Sequence, residues 1–185
     1  MNDAELKAAL REHAYLEGDF VLRSGRRSSY YLDKYRFETR PDLLGALGER
    51  IADAVRAHEP DADLLAGPEL GAVALAAAAS LASGLPFLIV RKQAKEYGTA
   101  NRLEGVYAPG QNVCLVEDVV TSGGAAVEAV KAVREEGLVC RSAVCIVDRE
   151  EGGADALARQ AVRLRPLFTA SELLDTPKVA AKPHR

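Results

Sequence analysis

The chain has 185 residues, 48% of them apolar and 28% charged, which predicts a folded, soluble chain and excludes a disordered or low-complexity one. Its formal charge of −3 predicts no bulk attraction to nucleic acid or to a membrane surface, so any anion site has to be built locally. The three cysteines, Cys114, Cys140 and Cys145, form no CxxC pair and fall in apolar runs, so buried reduced thiols are expected. The acidic start, Met1-Asn2-Asp3-Ala4-Glu5, lacks the apolar segment of a signal peptide, and the alanine-rich run from Ala72 to Ala82 is too short to span a bilayer. A cytoplasmic location is expected.

In chain order, Asp3 is placed to cap a first helix that carries Leu6, Ala9 and Leu10 on one face and ends near His13. Asp19-Phe20-Val21-Leu22 and Ser29-Tyr30-Tyr31-Leu32-Asp33 read as two strands of a hairpin with a basic tip. Thr39 is expected to cap the next helix, with Pro41 near its first turn and an apolar stripe of Leu44, Leu47, Ile51 and Val55. Asp63 to Ala66 reads as a strand, Gly67-Pro68-Glu69-Leu70-Gly71 as a loop, and Ala72 to Ser83 as a helix small enough to pack closely on a sheet. Pro86 to Val90 is a further strand.

Arg91 to Asn101 has three cations and no apolar stripe, and is expected as a long exposed loop of functional kind. Leu103 to Tyr107 returns toward the sheet. Val139 to Val147 reads as a strand ending at Asp148-Arg149, Ala154 to Gln160 as a helix, Ala161 to Leu167 as a last strand and Ala170 to Leu174 as a last helix. The tail, 176–185, has two prolines and no pattern, and is expected to fray. Strands alternating with helix-length segments predict an α/β chain with a mostly parallel sheet, ligands binding beyond the carboxyl ends of its strands. No linker or repeat divides it, so one domain over 1–185 is expected, with residues 1–40 as a small N-terminal hood of helix plus hairpin.

The organising stretch is Val113-Cys114-Leu115-Val116-Glu117-Asp118-Val119-Val120-Thr121-Ser122-Gly123-Gly124-Ala125. An apolar strand ends in two acids, small and hydroxyl residues follow, and a helix carrying Val127, Val130, Ala132 and Val133 begins. Backbone N–H groups from Thr121 to Gly124, at a helix N-terminus, can converge on a phosphate. Glu117 and Asp118 are badly placed for phosphate and well placed to accept from vicinal hydroxyls. A ribose 5-phosphate satisfies both halves.

This stretch resembles the signature of the type I phosphoribosyltransferases: apolar strand, two acids, two apolar residues, threonine, a small residue, glycine. A Walker A loop is excluded, because no Gly-Lys-Ser/Thr follows. Arg91-Lys92-x-x-Lys95-x-Tyr97-Gly98 with Glu104-Gly105 looks like the mobile loop of the orotate phosphoribosyltransferases. The hairpin Phe20-x-Leu22-Arg23-Ser24-Gly25-Arg26-x-Ser28-x-Tyr30-Tyr31 and the pair Asp148-Arg149 match the same family. The resemblance runs from about Phe20 to Ser171. It implies the type I phosphoribosyltransferase fold and transfer of ribose 5-phosphate from phosphoribosyl pyrophosphate (PRPP) to orotate, giving orotidine 5′-monophosphate and pyrophosphate in pyrimidine biosynthesis.

The resemblance also implies roles. Lys95, Glu117 and Asp118 are the catalytic candidates. Arg91, Lys92, Lys95, Tyr97 and the run Glu117, Asp118, Val119, Val120, Thr121, Ser122, Gly123, Gly124 and Ala125 would bind PRPP. Thr121, Arg149 and Arg23 would meet orotate, Arg149 as a fork on its carboxylate, with Tyr30 or Tyr31 offering a ring face. Magnesium (Mg2+) is the implied cofactor, held mainly by substrate oxygens and water rather than by a protein cage. The chain departs from the common pattern in having Glu117 for an aspartate, Arg23 for a lysine, Tyr97 for a histidine, and Leu70-Gly71 where many members carry a lysine. A purine or uracil phosphoribosyltransferase is the nearest alternative, and a PRPP-sensing regulator another; the hairpin and Arg149 speak against the first, the lack of a basic extension against the second. A homodimer is expected, with Lys95 serving the neighbouring subunit's site and the helix from Leu43 to Val55 and the hairpin tyrosines forming the interface.

Overall fold

The computed structural model describes residues 1–21, 25, 27–93 and 102–176. Alternation of side chains puts the run from residue 112 onward at the centre of a sheet buried on both faces. Val113 and Leu115 pack into one apolar layer, and Cys114 and Val116 into the other. The elements are α1 (Asp3–Ala14), β1 (Tyr15–Val21), β2 (Arg27–Leu32), α2 (Tyr35–Glu38), α3 (Pro41–His58), β3 (Leu64–Pro68), α4 (Gly71–Ser83), β4 (Phe87–Val90), β5 (Leu103–Glu104), β6 (Asn112–Val120), α5 (Gly124–Glu135), β7 (Val139–Asp148), α6 (Gly153–Ala158), β8 (Arg163–Thr169) and α7 (Ala170–Asp175).

The sheet runs β5-β4-β3-β6-β7-β8, parallel except for β5, which pairs antiparallel with β4. The chain leaves β3 toward one edge and resumes at β6 toward the other, so strand order reverses between β3 and β6. That is the switch point of an open α/β sheet, where a crevice opens beyond the carboxyl ends of the strands. One face is covered by α3 and α4, with Leu47, Ile51, Leu75 and Ala79 against Leu65, Cys114 and Val144. The other is covered by α5 and α6, with Ala129, Val130, Val133 and Leu157 against Leu64, Leu115 and Ala143. All three cysteines are buried in these layers. Burial pushes the Cys114 thiol up to about 12 and that of Cys140 to about 11, so both are unreactive.

The hairpin β1–β2 forms a separate two-stranded sheet beside α1, as the hood reading expects. Four details of the first three helices and the hairpin differ from expectation. Asn2, not Asp3, caps α1: its side chain accepts from the Glu5 N–H at 2.9 Å, and the Glu5 carboxylate accepts from the Asn2 N–H at 2.8 Å. With Asp3 as cap, the third helical residue would be Leu6, which cannot reciprocate. Thr39 caps nothing at the start of α3; its hydroxyl donates to the Tyr35 carbonyl at 2.6 Å, closing the one-turn helix α2, and Arg40 is the N-cap. The buried stripe of α3 begins at Leu43, with Leu44 half-buried beside it. Finally, β1 starts at Tyr15, four residues before the expected strand, because Tyr15, Leu16 and Glu17 pair with Leu32, Tyr31 and Tyr30. Residues 22–24 and 26 of the hairpin tip, 94–101 of the long loop and 177–185 of the tail lie outside the described residues. Among the described residues no helix is long and apolar enough to cross a membrane.

Candidate active site

The phosphate turn follows β6. Val120 is the last strand residue, and Arg149 N–H donates to its carbonyl at 2.8 Å, tying the ends of β6 and β7 together. Gly123 sits at φ 79° as the N-cap of α5, a conformation side chains resist. A Cβ there would also stand 2.9 Å from the Gly153 carbonyl oxygen, so the turns after β6 and β7 touch backbone to backbone. Among the described residues, the N–H groups from Thr121 to Ala126 have no backbone acceptor; the first to be satisfied is that of Val127, donating to Gly123. A run of open donors at the positive end of a twelve-residue helix is an anion cradle.

Glu117 and Asp118 do not end the strand, as the sequence suggested; β6 continues two residues beyond them. Both are therefore held rigidly and buried, at 7% and 5% exposure. Asp118 accepts from Lys34 Nζ in a close ion pair, and its other oxygen accepts from the Val119 N–H. Glu38, at the end of α2 and 5% exposed, lies close enough to feel the Asp118 charge. Burial, and then the Asp118 charge, push Glu117 up to about 8. The same two causes, in the same order, push Glu38 to about 8. Both carboxyls are thus mostly protonated at neutral pH, and each has an oxygen without a hydrogen-bond partner among the described residues. Burial opposes the charge on Lys34, but the hydrogen bond and charge of Asp118 outweigh it and raise its pKa.

Across the switch point, Gly67 and Pro68 belong to the end of β3 rather than to a loop. The Glu69 N–H donates to the Val90 carbonyl at 2.9 Å, and the Glu69 carboxylate accepts from the Lys92 N–H at 2.6 Å. Glu69 therefore latches the loop after β3 to the start of the long loop after β4. Arg91 pairs with Glu104 at 3.5 Å, and Lys92 is exposed. The N–H groups of Leu70, Gly71 and Ala72, opening α4, have no backbone acceptor among the described residues.

Arg149 is 8% exposed. Its guanidinium lies over the Tyr30 ring, 4.6 Å from the centroid, and its Nε is 3.1 Å from the Glu151 carboxylate. Tyr30 in turn stacks on Tyr15 at 5.2 Å. So the hairpin does reach the carboxyl end of β7, through Tyr30; Tyr31 points elsewhere, packing on Phe20 and remaining 41% exposed.

The structure thus gathers Glu117 to Ala125, Arg91, Lys92 and Arg149 around the carboxyl ends of β3, β4, β6 and β7. Lys95, Tyr97 and Arg23 lie outside the described residues. Sequence reasoning missed Lys34 and Glu38. Their spacing, i and i+4 on a one-turn helix after Asp33, carries no motif; only the fold brings them to Asp118. The expected interface surface on α3 is not on offer, because Leu43, Leu47, Ile51 and Val55 are all consumed by the chain's own core. Exposed aromatic surface remains at Tyr31 and Tyr35.

No family model matches the chain. It is 47% identical over 173 residues to the orotate phosphoribosyltransferase of Methanocella arvoryzae, covering 93% of this chain and 97% of that protein. Its fold is similar to the crystal structure of the orotate phosphoribosyltransferase of Aeropyrum pernix, with a TM-score of 0.82 and 32% identity over 92% of this chain and 96% of the other. The Mycobacterium tuberculosis orotate phosphoribosyltransferase, solved in complex with PRPP, gives a TM-score of 0.77 at 31% identity, covering 92% and 98%. Identity at this level over nearly the whole of both chains places the chain in the orotate phosphoribosyltransferase family.

Proposed function

We propose that the crevice beyond β3, β6 and β7 binds PRPP and orotate and transfers ribose 5-phosphate to the base, giving orotidine 5′-monophosphate and pyrophosphate. The observation that carries this reading is the juxtaposition of an open N–H cradle at Thr121–Ala126 with two buried acids on the strand before it. The 5-phosphate takes the cradle, with the Thr121 and Ser122 hydroxyls beside it. The ribose hydroxyls then fall next to Glu117 and Asp118 and supply Glu117 with the partner it lacks. As the bond from C1 to pyrophosphate weakens, positive charge develops on the sugar and is stabilised by the Asp118 carboxylate and the neighbouring Glu117 carboxyl oxygen. Their rigid seat on β6 means no reorganisation is needed at that moment.

Orotate brings a carboxylate to Arg149, whose planar fork suits it and whose ring partner Tyr30 fixes its plane. Thr121 lines the same side of the cradle. Leaving pyrophosphate meets the N–H groups opening α4 and the cations Arg91 and Lys92; Lys95 and Tyr97, from the intervening loop, join them in this reading, as Arg23 joins the orotate side.

Among the described residues no group of three acids, histidines or cysteines could cage a metal. Glu117 and Asp118 would serve magnesium as nearby acids beside a substrate-held ion rather than as a cage, which suits an ion that keeps much of its water. When bound, magnesium would offset the charge of the leaving group. In this reading the protein is a homodimer in which Lys95 serves the partner's site.

The test is to supply PRPP and magnesium with orotate, uracil, adenine or hypoxanthine and to measure pyrophosphate release. Release with orotate well above the rest supports the reading; preference for a purine or uracil, or no release with any base, overturns it.

A further inference from the structure

We propose that Lys34 is a pyrophosphate ligand: the hood delivers, through α2, the cation that the loop after β3 does not carry. This rests on the PRPP reading of the crevice. Gly67-Pro68-Glu69-Leu70-Gly71 contains no cation and one acid, and that acid is committed to the Lys92 N–H. Yet this loop opens α4, a thirteen-residue helix whose first N–H groups are open and face the switch point. A polyanion held there by backbone donors alone would leave most of its charge unmatched.

Lys34 fills that place. A Cβ added at Gly71 would stand 2.6 Å from Lys34 Nζ and would also collide with Asp118 Oδ2. The ammonium is therefore seated against the first residue of α4, in the space a side chain at position 71 would take. Glycine at 71 and lysine at 34 are two halves of one arrangement. The Lys34 side chain is 30% exposed and that of Asp118 7%, so the ammonium is the more open end of the pair. Without ligand, Asp118 and Lys34 satisfy each other. When the ribose hydroxyls donate to Asp118, they replace the donor that Lys34 supplied, and the ammonium is freed to meet pyrophosphate oxygens a short swing away. The raised pKa of Lys34 agrees with a group that stays charged through this exchange.

The experiment compares wild type, Lys34→Met and Lys34→Arg by calorimetry, with magnesium present, using PRPP, pyrophosphate and ribose 5-phosphate as separate ligands. The methionine variant should lose about tenfold or more in affinity for PRPP and pyrophosphate, the scale of one charge-assisted bond. Its affinity for ribose 5-phosphate should stay within about twofold, and arginine should restore most of the loss. Unchanged pyrophosphate affinity, or an equal loss for ribose 5-phosphate, overturns the assignment and leaves Lys34 as a partner of Asp118 alone. A wild type that binds none of the three overturns the reading of the crevice itself. Should Lys34→Met fail to fold, acetylation of Lys34 in the wild type is followed by mass spectrometry. Protection by pyrophosphate but not by ribose 5-phosphate supports the proposal; equal protection by both, or none, overturns it.

Discussion

Arg149→Ala is the sharpest probe of base recognition. The side chain is buried, its backbone is fixed by the bond to Val120, and its guanidinium is clamped between Tyr30 and Glu151. In the proposed pairing, truncation removes one charge-assisted contact to the orotate carboxylate, about 1.5–3 kcal/mol. At about 1.4 kcal/mol per tenfold, the KM for orotate should rise roughly 10- to 150-fold while that for PRPP barely moves. Loss of the stacking on Tyr30 also costs stability, about 0.5–2 kcal/mol, so rates are compared well below the lowered Tm. Orotidine and uridine 5′-monophosphates separate recognition from general damage, because they differ only in the carboxylate. Calorimetry should show the variant losing affinity for the first and keeping it for the second. Equal losses for both nucleotides, or equal rises in KM for orotate and PRPP, would refute the pairing of Arg149 with the carboxylate. Arg149→Lys should fall between, since an ammonium keeps the charge but not the fork.

Glu117→Gln with Asp118→Asn should lower kcat far more than it weakens ribose 5-phosphate binding, because the proposed cradle of Thr121 to Ala126 would hold the phosphate through its backbone; lost affinity with unchanged kcat in steady-state rates would contradict this division. Glu38 and Glu117 are raised from 4.5 to about 8, so the folded free chain binds more protons than the unfolded chain between those values, and its stability falls as pH rises from about 4.5 to about 8. Glu38→Gln should therefore raise Tm at pH 9 and change it little at pH 5; a gain of the same size at both pH values in thermal scans would refute the linkage. Mixing Lys95→Ala with Asp118→Asn and letting subunits exchange should restore activity toward about a quarter of wild type if Lys95 serves its neighbour's site, since half the dimers then carry one intact site. No recovery, with exchange shown by native mass spectrometry, places Lys95 in its own chain's site.

What was legible in the sequence was local. The continuous apolar run into Glu117-Asp118 and the small residues after it state a strand, a turn and a helix start, and the fold builds them there. Element ends were less legible, because they depend on partners. Asn2 wins over Asp3 only because Glu5 returns the hydrogen bond, and β1 starts at Tyr15 only because β2 is long enough to pair with it. Thr39 reads as an N-cap until α2 is seen to claim its hydroxyl.

The Lys34 arrangement was illegible for a different reason. Lys34, Gly71 and Asp118 lie 37 and 47 residues apart in turn, on three elements, and none carries a motif that refers to the others. Gly71 reads as a loop glycine, yet what requires it is a steric fact about Asp118 and Lys34. Lys34 carries no sequence signal, yet its ammonium pairs with the buried Asp118. Glu38 completes the cluster and pushes the balance the other way, so that Lys34 faces three buried acids. One cation cannot neutralise three carboxylates in a buried site, and the raised values of Glu38 and Glu117 are how the fold resolves this: in the free chain both are biased toward the protonated form. The pH dependence of the free chain's stability is therefore set by the same buried acids that the proposed reaction places beside the sugar.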